Sequence, residues 1–226
     1  HAKRLVLESN YRKIAFLRTI YGFRGRHSEV TIPAFGCTYT VPDHPSFFSV
    51  LDEVYGNSIY DIPEMNGAGL IIDVGANVGI CTNYFLQRYP NTNVISYEAD
   101  PRVFKFLKAN VEDTSRVHLV NAAVWTESGA IRFDSQGDDT GKISEDGGIS
   151  VDSISIHEVL QHDHIDLLKM DIEGAENALL LECAGRLGNV SRLYFEYHSS
   201  YDQPQNLGRI LGNLQSDGFR IHIHSV

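Results

Sequence analysis

Cysteine is scarce in this 226-residue chain: Cys37, Cys81 and Cys183 are far apart, odd in number and without C-x-x-C spacing. That pattern suggests neither a disulfide framework nor a zinc knuckle, and it fits a reducing compartment. Basic residues are also few, 19 against 29 acidic, for a formal net charge of −10. So acidic a chain lacks the cationic surplus that grips a phosphate backbone, and nucleic acid is not expected as a partner. No apolar run approaches the roughly 18 residues of a membrane span. The opening residues lack the charged-then-apolar pattern of a signal peptide, so a soluble, cytoplasmic protein is expected. Internal repeats are missing too. One domain with an N-terminal extension is the economical reading, with residues 1–66 as a helix and hairpin packed on a main domain at 67–226.

What is there begins with an amphipathic stretch from Ala2 to about Tyr21, where Leu5, Val6, Ile14, Phe16, Leu17 and Ile20 sit among basic residues. It reads as a helix packed on the domain, with a substrate or dimer lid as the alternative. "SEVTIPAFGCTYTVP" alternates around a turn-like "FGC" and predicts a β-hairpin. "HPSFFSVLDEVYG" looks helical, and "NSIYDIPEMNGAG" is a polar loop marked by Gly and Pro. From Gly69 the short apolar runs "LIIDVG", "NVISYEA", "VHLVNAA", "IDLLKMDI" and "RLYFEYH" alternate with helical patterns at 77–89, 101–113, 157–162, 175–187 and 204–217. Such alternation argues for βα units and a mostly parallel sheet covered by helices on both faces. Residues 134–150, rich in Gly, Asp and Ser, read as an exposed excursion with a small hairpin, and "RIHIHSV" as a last strand.

In an open α/β sheet, ligands sit outside the carboxyl ends of the strands, where strand order reverses. The loop "DVGANVG" belongs there. Gly75 and Gly79 remove Cβ atoms where backbone turns tightly or approaches a ligand, and the helix that follows offers free N–H groups from its first turn. A dinucleotide site wants G-x-G-x-x-G, and Asn77 stands in place of the middle glycine that admits a pyrophosphate. The loop therefore suits a ligand without phosphate there, such as S-adenosylmethionine, with Asp73 as acceptor near its ammonium. Glu98 follows Asp73 by 25 positions, at the end of the next run, where a carboxylate accepts from both ribose hydroxyls. In "NAAVW", Asn121, Ala122 and Ala123 are candidate adenine contacts, and Trp125 a lid or stacking surface, with core packing as the alternative.

Asp171, Glu173 and Glu176 cluster after the fourth run; for Glu176 a place in the first helical turn, favoured by the helix dipole, is an equal reading. After the fifth run Glu196 and His198 alternate onto one face and Tyr197 onto the other. A neutral His198 imidazole could take the proton of a substrate hydroxyl, with Asp171 or Glu173 as substitutes. A metal-assisted alternative has Asp171, Glu173 and Glu196 holding Mg²⁺, although no metal is the first expectation. His157, His162 and His164 imitate a metal cluster but read as exposed, and His222 and His224 as surface or packing residues. Tyr60 is a loop tyrosine that could reach the crevice.

"IIDVGANVG", "SYEADP" and above all "IDLLKMDIEGAE" resemble the FkbM family of S-adenosylmethionine-dependent methyltransferases, over about residues 51 to 220. The resemblance implies an α/β, class I (Rossmann-like) fold with a seven-stranded sheet in the order 3-2-1-4-5-7-6, its last strand doubtful in this chain. It implies O-methylation of a sugar, polyketide or similar small metabolite. By motif, Asp73, Gly75, Asn77 and Gly79 form the cofactor loop, Glu98 the ribose acceptor, and Asp171 to Glu173 the wall beside the methyl group. "VDSISI" resembles the segment that precedes the family's signature as V-x-L-D. The alternatives are N-methyl transfer on the same fold, a non-catalytic cofactor-binding protein and, disfavoured by Asn77, an NAD-dependent oxidoreductase. The methyl acceptor has no readable code.

Overall fold

The computed structural model describes residues 2–23, 28–62, 65, 69–111, 115–134, 142–143, 148–198 and 204–223. In chain order the elements are α1 (Ala2–Tyr21), the hairpin β1 (Val30–Ala34) and β2 (Cys37–Val41), α2 (His44–Leu51) and a π-helical turn at Asp52–Gly56. Then come β3 (Gly69–Val74), α3 (Ile80–Arg88), β4 (Thr92–Tyr97), α4 (Pro101–Asn110), β5 (Val117–Val120) and β6 (Ala123–Trp125). The remainder comprises β7 (Gly129–Asp134), β8 (Lys142–Ile143), β9 (Ile149–Ser155), α5 (Ile156–Val159), β10 (Leu167–Met170), α6 (Glu176–Glu182), β11 (Leu193–Phe195) and α7 (Leu207–Ser216).

Five parallel strands form the main sheet in the order β11-β10-β3-β4-β5. This is the 3-2-1-4-5 portion of the expected order. Strand order reverses between β3 and β10, so the loops after these two parallel strands share the crevice at their carboxyl ends. Alternation along the strands divides the core. Ile71 and Leu167 pack with the hairpin, α2, α3 and α4 on one face. Ile72, Val74, Leu168 and Met170 pack with α5, α6 and α7 on the other. Residues 220–223 form no strand, so the expected last strand from "RIHIHSV" is not made there, and His224 lies outside the described residues.

The excursion departs from expectation. Together with the residues that flank it from Ala123 to Ser155, its described part belongs to a second sheet in the order β6-β9-β7-β8, larger than the small hairpin anticipated; residues 135–141 and 144–147 lie outside the described residues. Its periodicity is hidden because two of the inward positions on β9 are serines. Ser153 Oγ donates to the Glu127 carbonyl at 2.9 Å and Ser155 Oγ to that of Thr126 at 3.1 Å, which offsets the cost of burying them.

α1 packs on the first core through Ile14 and Leu17. It is tied to the π-helical turn by Asn10 Nδ2 donating to the Tyr55 carbonyl at 2.8 Å and by an Arg18–Asp52 ion pair at 2.7 Å. α2 starts cleanly, with Pro45 in its first turn and the Asp43 carboxylate accepting from the Ser46 amide.

Candidate active site

Across the middle of the main sheet runs a polar row. Strand register sets Lys169 of β10 beside Asp73 of β3, and Asp73 beside Ser96 of β4, so all three leave the same face. Each is buried. Lys169 Nζ lies 3.2 Å from an Asp73 carboxylate oxygen, Thr82 Oγ1 donates to the other oxygen at 2.8 Å, and Thr82 and Ser96 hydroxyls meet at 2.9 Å. Burial pulls the Lys169 pKa down, but the Asp73 carboxylate outweighs it and holds the ammonium above its usual range. The same ammonium donates to the Gly75 carbonyl at 2.7 Å and so pins the loop that follows β3.

That loop winds through three left-handed residues, Gly75 (φ 81°), Asn77 (φ 50°) and Gly79 (φ 91°). A Cβ on Gly75 would stand 1.9 Å from the Asp171 carbonyl oxygen, so glycine is required by the close approach of the β3 and β10 ends. The amides of Gly75 and Ala76 both donate to the Tyr97 carbonyl, at 3.0 and 2.9 Å, and the Asn77 amide donates to Glu98 Oε2 at 2.9 Å. These N–H groups are spent on β4. The expected set of free amides is thus reduced where a pyrophosphate would need it.

Glu98 Oε1 also accepts from the Asp100 amide at 2.8 Å. Each carboxylate oxygen keeps a lone pair, and the group lines a cavity at the crevice. Burial pushes its pKa up to about 7, against the opposing effect of the two backbone N–H groups.

The cavity collects Gly75 and Asn77 from the β3 loop, Ala122 and Ala123 at the start of β6, Asp171 and Glu173 after β10, and Glu196 and His198 after β11. Phe133 and Ile143 of the second sheet add an apolar wall. α2 and the π-helical turn close another side with Ser46, Phe47, Val50 and Glu53. Among the described residues of α1 none lines it.

His198 stands among carboxylates. Its Nδ1 donates to Glu176 Oε1 at 3.2 Å, and Nε2 lies 3.6 Å from Glu173 and 3.8 Å from Glu196. The Glu176 hydrogen bond raises its pKa to about 9, against burial and with help from the charges of Glu176, Glu173 and Asp171. That rise favours the imidazolium over the neutral imidazole expected from the sequence. Glu176 itself is buried and accepts from the amides of Ile172 (2.7 Å) and Gly174 (2.8 Å), where Glu173 (φ 53°) and Gly174 (φ 100°) turn the chain into α6. It holds the turn and does not line the cavity.

Several candidates move away from the cavity. Asp73 faces Lys169 and Thr82, because a buried ammonium needs a buried counter-ion, and it is not exposed to a ligand's ammonium. Gly79 meets α4, where a Cβ would come within 2.8 Å of Val111 and 2.9 Å of Leu107; tight helix packing is its role. Asn121 donates to the carbonyls of Glu98 (2.8 Å) and Ala99 (3.3 Å), and braces the end of β4 from outside the cavity. Trp125 packs against the second core, and Tyr60 is a core tyrosine set edge-on to Phe85 and Tyr194. Ligating atoms of Asp171, Glu196 and His198 lie within 4.8 Å of one another, so His198 replaces Glu173 in the expected metal alternative. His157 pairs with Glu182, and His164 with Asp166 and Ser191, and among the described residues His157, His162 and His164 form no metal-ligating group.

Two contributors were not among the expected site residues. Lys169 is legible in hindsight as a charge inside the apolar run "LLKM", a position that burial forbids without a partner. Glu53, half-buried, rises to a pKa of about 7 through burial and the charges of Glu196 and Asp171.

Residues 73–221 match the methyltransferase FkbM domain. The chain is 28% identical over 173 residues to the 2-O-methyltransferase NoeI of Sinorhizobium fredii, covering 65% of this chain and 71% of that one. It is 26% identical over 154 residues to the hexuronic acid methyltransferase AglP of Haloferax volcanii, covering 63% of this chain and 61%, less than two thirds, of that protein. In fold it is similar to Aeropyrum pernix fibrillarin, crystallised with S-adenosyl-L-methionine, at a TM-score of 0.50 and 12% identity over 89% of this chain and 77% of that one.

Proposed function

The chain belongs to the FkbM methyltransferase family, and from that premise we propose that it transfers a methyl group from S-adenosylmethionine to a hydroxyl of a sugar or comparable small metabolite. The observation that carries this reading is the Glu98 carboxylate. It is clamped by two backbone amides and turned to the cavity beside a loop whose amides are already engaged. That donor set suits a ribose diol and offers little to a pyrophosphate, which also speaks against a nicotinamide dinucleotide.

The rest of the cavity fits the same cofactor. Phe133, Ile143, Ala122 and Ala123 give apolar walls for a purine, and Asp171, Glu196 and Glu53 gather negative charge suited to a cationic ligand. S-adenosylmethionine supplies an electrophilic methyl group on a sulfonium. The chain's part is to align an acceptor oxygen and receive its proton. Asp171 and Glu173 serve as proton acceptors in this reading, and the His198 imidazolium orients the acceptor by donating a hydrogen bond. The wall from α2 and Glu53, which precedes the family-matching residues, selects the acceptor. Residues 67–226 then form the cofactor-binding domain and 1–66 its extension. Buried, unpaired Cys81 and Cys183 suit a reducing cytoplasm.

Calorimetric titration with S-adenosylhomocysteine and with NAD tests the assignment, followed by transfer of labelled methyl to a panel of hydroxylated sugars. Tight S-adenosylhomocysteine binding and transfer to oxygen are expected. Binding of NAD alone would sink the reading. Transfer to nitrogen, or to no acceptor at all, would replace it with one of the two alternatives on the same fold.

A further inference from the structure

Seven large hydrophobic side chains are exposed among the described residues, and six of them lie between Leu5 and Phe23. Leu5, Val6, Phe16 and Ile20 are 51–64% exposed, and Phe23, just past the helix, 90%. At about 100° per residue, Leu5, Phe16 and Ile20 fall on one stripe of α1 roughly 60° wide, with Arg12 and Lys13 at its two edges. The stripe points away from Ile14 and Leu17, which already bury the helix's inner side. α1 thus has two apolar faces, and packing on the domain explains only one.

Charge says what covers the other. α1 carries Lys3, Arg4, Arg12, Lys13 and Arg18 against Glu8, a net of +4, so the remainder of the chain carries −14. Arg4 and Arg18 are paired with Glu8 and Asp52, and Lys13 Nζ lies over the Phe35 ring, 4.4 Å from its centroid, without a carboxylate partner among the described residues. An isologous pair of antiparallel α1 helices would set Arg12 and Lys13 of both copies together at the two-fold axis and bring two strongly acidic bodies side by side. An anionic lipid surface has the opposite sign, accepts Phe, Ile and Leu at the acyl boundary, and repels the rest of the molecule. We propose that the outer face of α1 docks this protein on anionic phospholipid membranes, lying in the interface with Leu5, Phe16, Ile20 and Phe23 inserted and Arg12 and Lys13 at the headgroups. Because α1 is tied to the π-helical turn by Asn10 and Arg18, the docked helix is continuous with a wall of the cavity.

Co-sedimentation of the full chain with phosphatidylcholine vesicles, with and without about 30 mol% phosphatidylglycerol, tests this. Binding is expected only to the anionic vesicles, and should weaken with added salt. At about fivefold per neutralised cation, Arg12→Gln/Lys13→Gln should weaken it about twentyfold. Phe16→Gln/Ile20→Gln should abolish it while the melting temperature and S-adenosylhomocysteine affinity stay at wild-type values, since both side chains are exposed and remote from the cavity. Failure of the wild type to sediment, equal binding to neutral vesicles, or binding untouched by either double variant would overturn the proposal. A dimer in light scattering that Phe16→Gln/Ile20→Gln dissociates would give the face to a second copy instead.

Discussion

Removing the Lys169 ammonium leaves a defined electrostatic fault. In Lys169→Met the Asp73 carboxylate, buried in the sheet, keeps Thr82 as a donor but loses its counter-ion at 3.2 Å, and the Gly75 carbonyl loses its donor at 2.7 Å. Breaking a buried ion pair from one side costs about 3–5 kcal/mol, a large part of a domain's net stability. At about 2–4 °C per kcal/mol for a chain of this size, the melting temperature should fall by about 6–20 °C. Urea denaturation at pH 7 gives the free energy directly. The fault should be repaired in part by removing the orphaned charge, so Asp73→Asn/Lys169→Met should be more stable than Lys169→Met alone, with a coupling of about 1–3 kcal/mol. Lower pH should repair it too. A lone buried carboxylate takes up a proton more readily when folded than when unfolded, so the single variant's deficit is smallest near pH 5 and grows as pH rises. A loss below about 1 kcal/mol, or no rescue by Asp73→Asn, would refute the account of the polar row.

Glu98, with a pKa near 7, should make S-adenosylhomocysteine affinity pH-dependent: about tenfold weaker at pH 6 than at pH 8 as the carboxyl protonates, with Glu98→Gln weak and flat across that range by calorimetry. His198 titrates near 9 when folded and near 6.5 when unfolded, so its contribution to stability is complete below about pH 6.5 and is lost as pH rises through 9. His198→Gln should therefore lose more stability at pH 6 than at pH 9.5 in urea melts, and an equal loss at both would mean an uncharged imidazole. Gly79→Ala should cost about 2–3 kcal/mol through its positive φ and overpacking against α4, while the folded fraction binds S-adenosylhomocysteine normally. EDTA should leave methyl transfer unchanged; a loss restored by Mg²⁺ would make Asp171, Glu196 and His198 a metal site.

Much of the architecture is legible from residue order. Apolar runs of strand length alternating with helical periods dictate βα units, and the glycines of "DVGANVG" and "IEGAE" mark the turns where β3 and β10 hand over to helices. Glu98, Asp171, Glu173, Glu196 and His198 are recoverable because each follows the carboxyl end of a strand, and a parallel sheet brings those ends together. The second sheet was illegible for a local reason: inward Ser153 and Ser155 satisfy themselves on backbone carbonyls and so erase the apolar alternation that would have announced a strand.

What the sequence determined by itself is therefore connectivity and the family, since local periodicity and the "KMDIEGAE" motif need no knowledge of distant contacts. Which side chain faces a ligand was decided only by tertiary structure. Asp73 and Glu98 both stand near the carboxyl ends of neighbouring strands, Asp73 inside β3 and Glu98 one residue past β4, yet one neutralises Lys169 inside the sheet and the other opens on the cavity. His198, read from the sequence as a neutral base, stands among Glu176, Glu173 and Glu196, whose charges favour its protonated form. Glu53, outside every motif, entered the cavity because α2 packs across the crevice. Burial and charge at a point depend on groups far apart in the chain, and these set the protonation and reach of each residue.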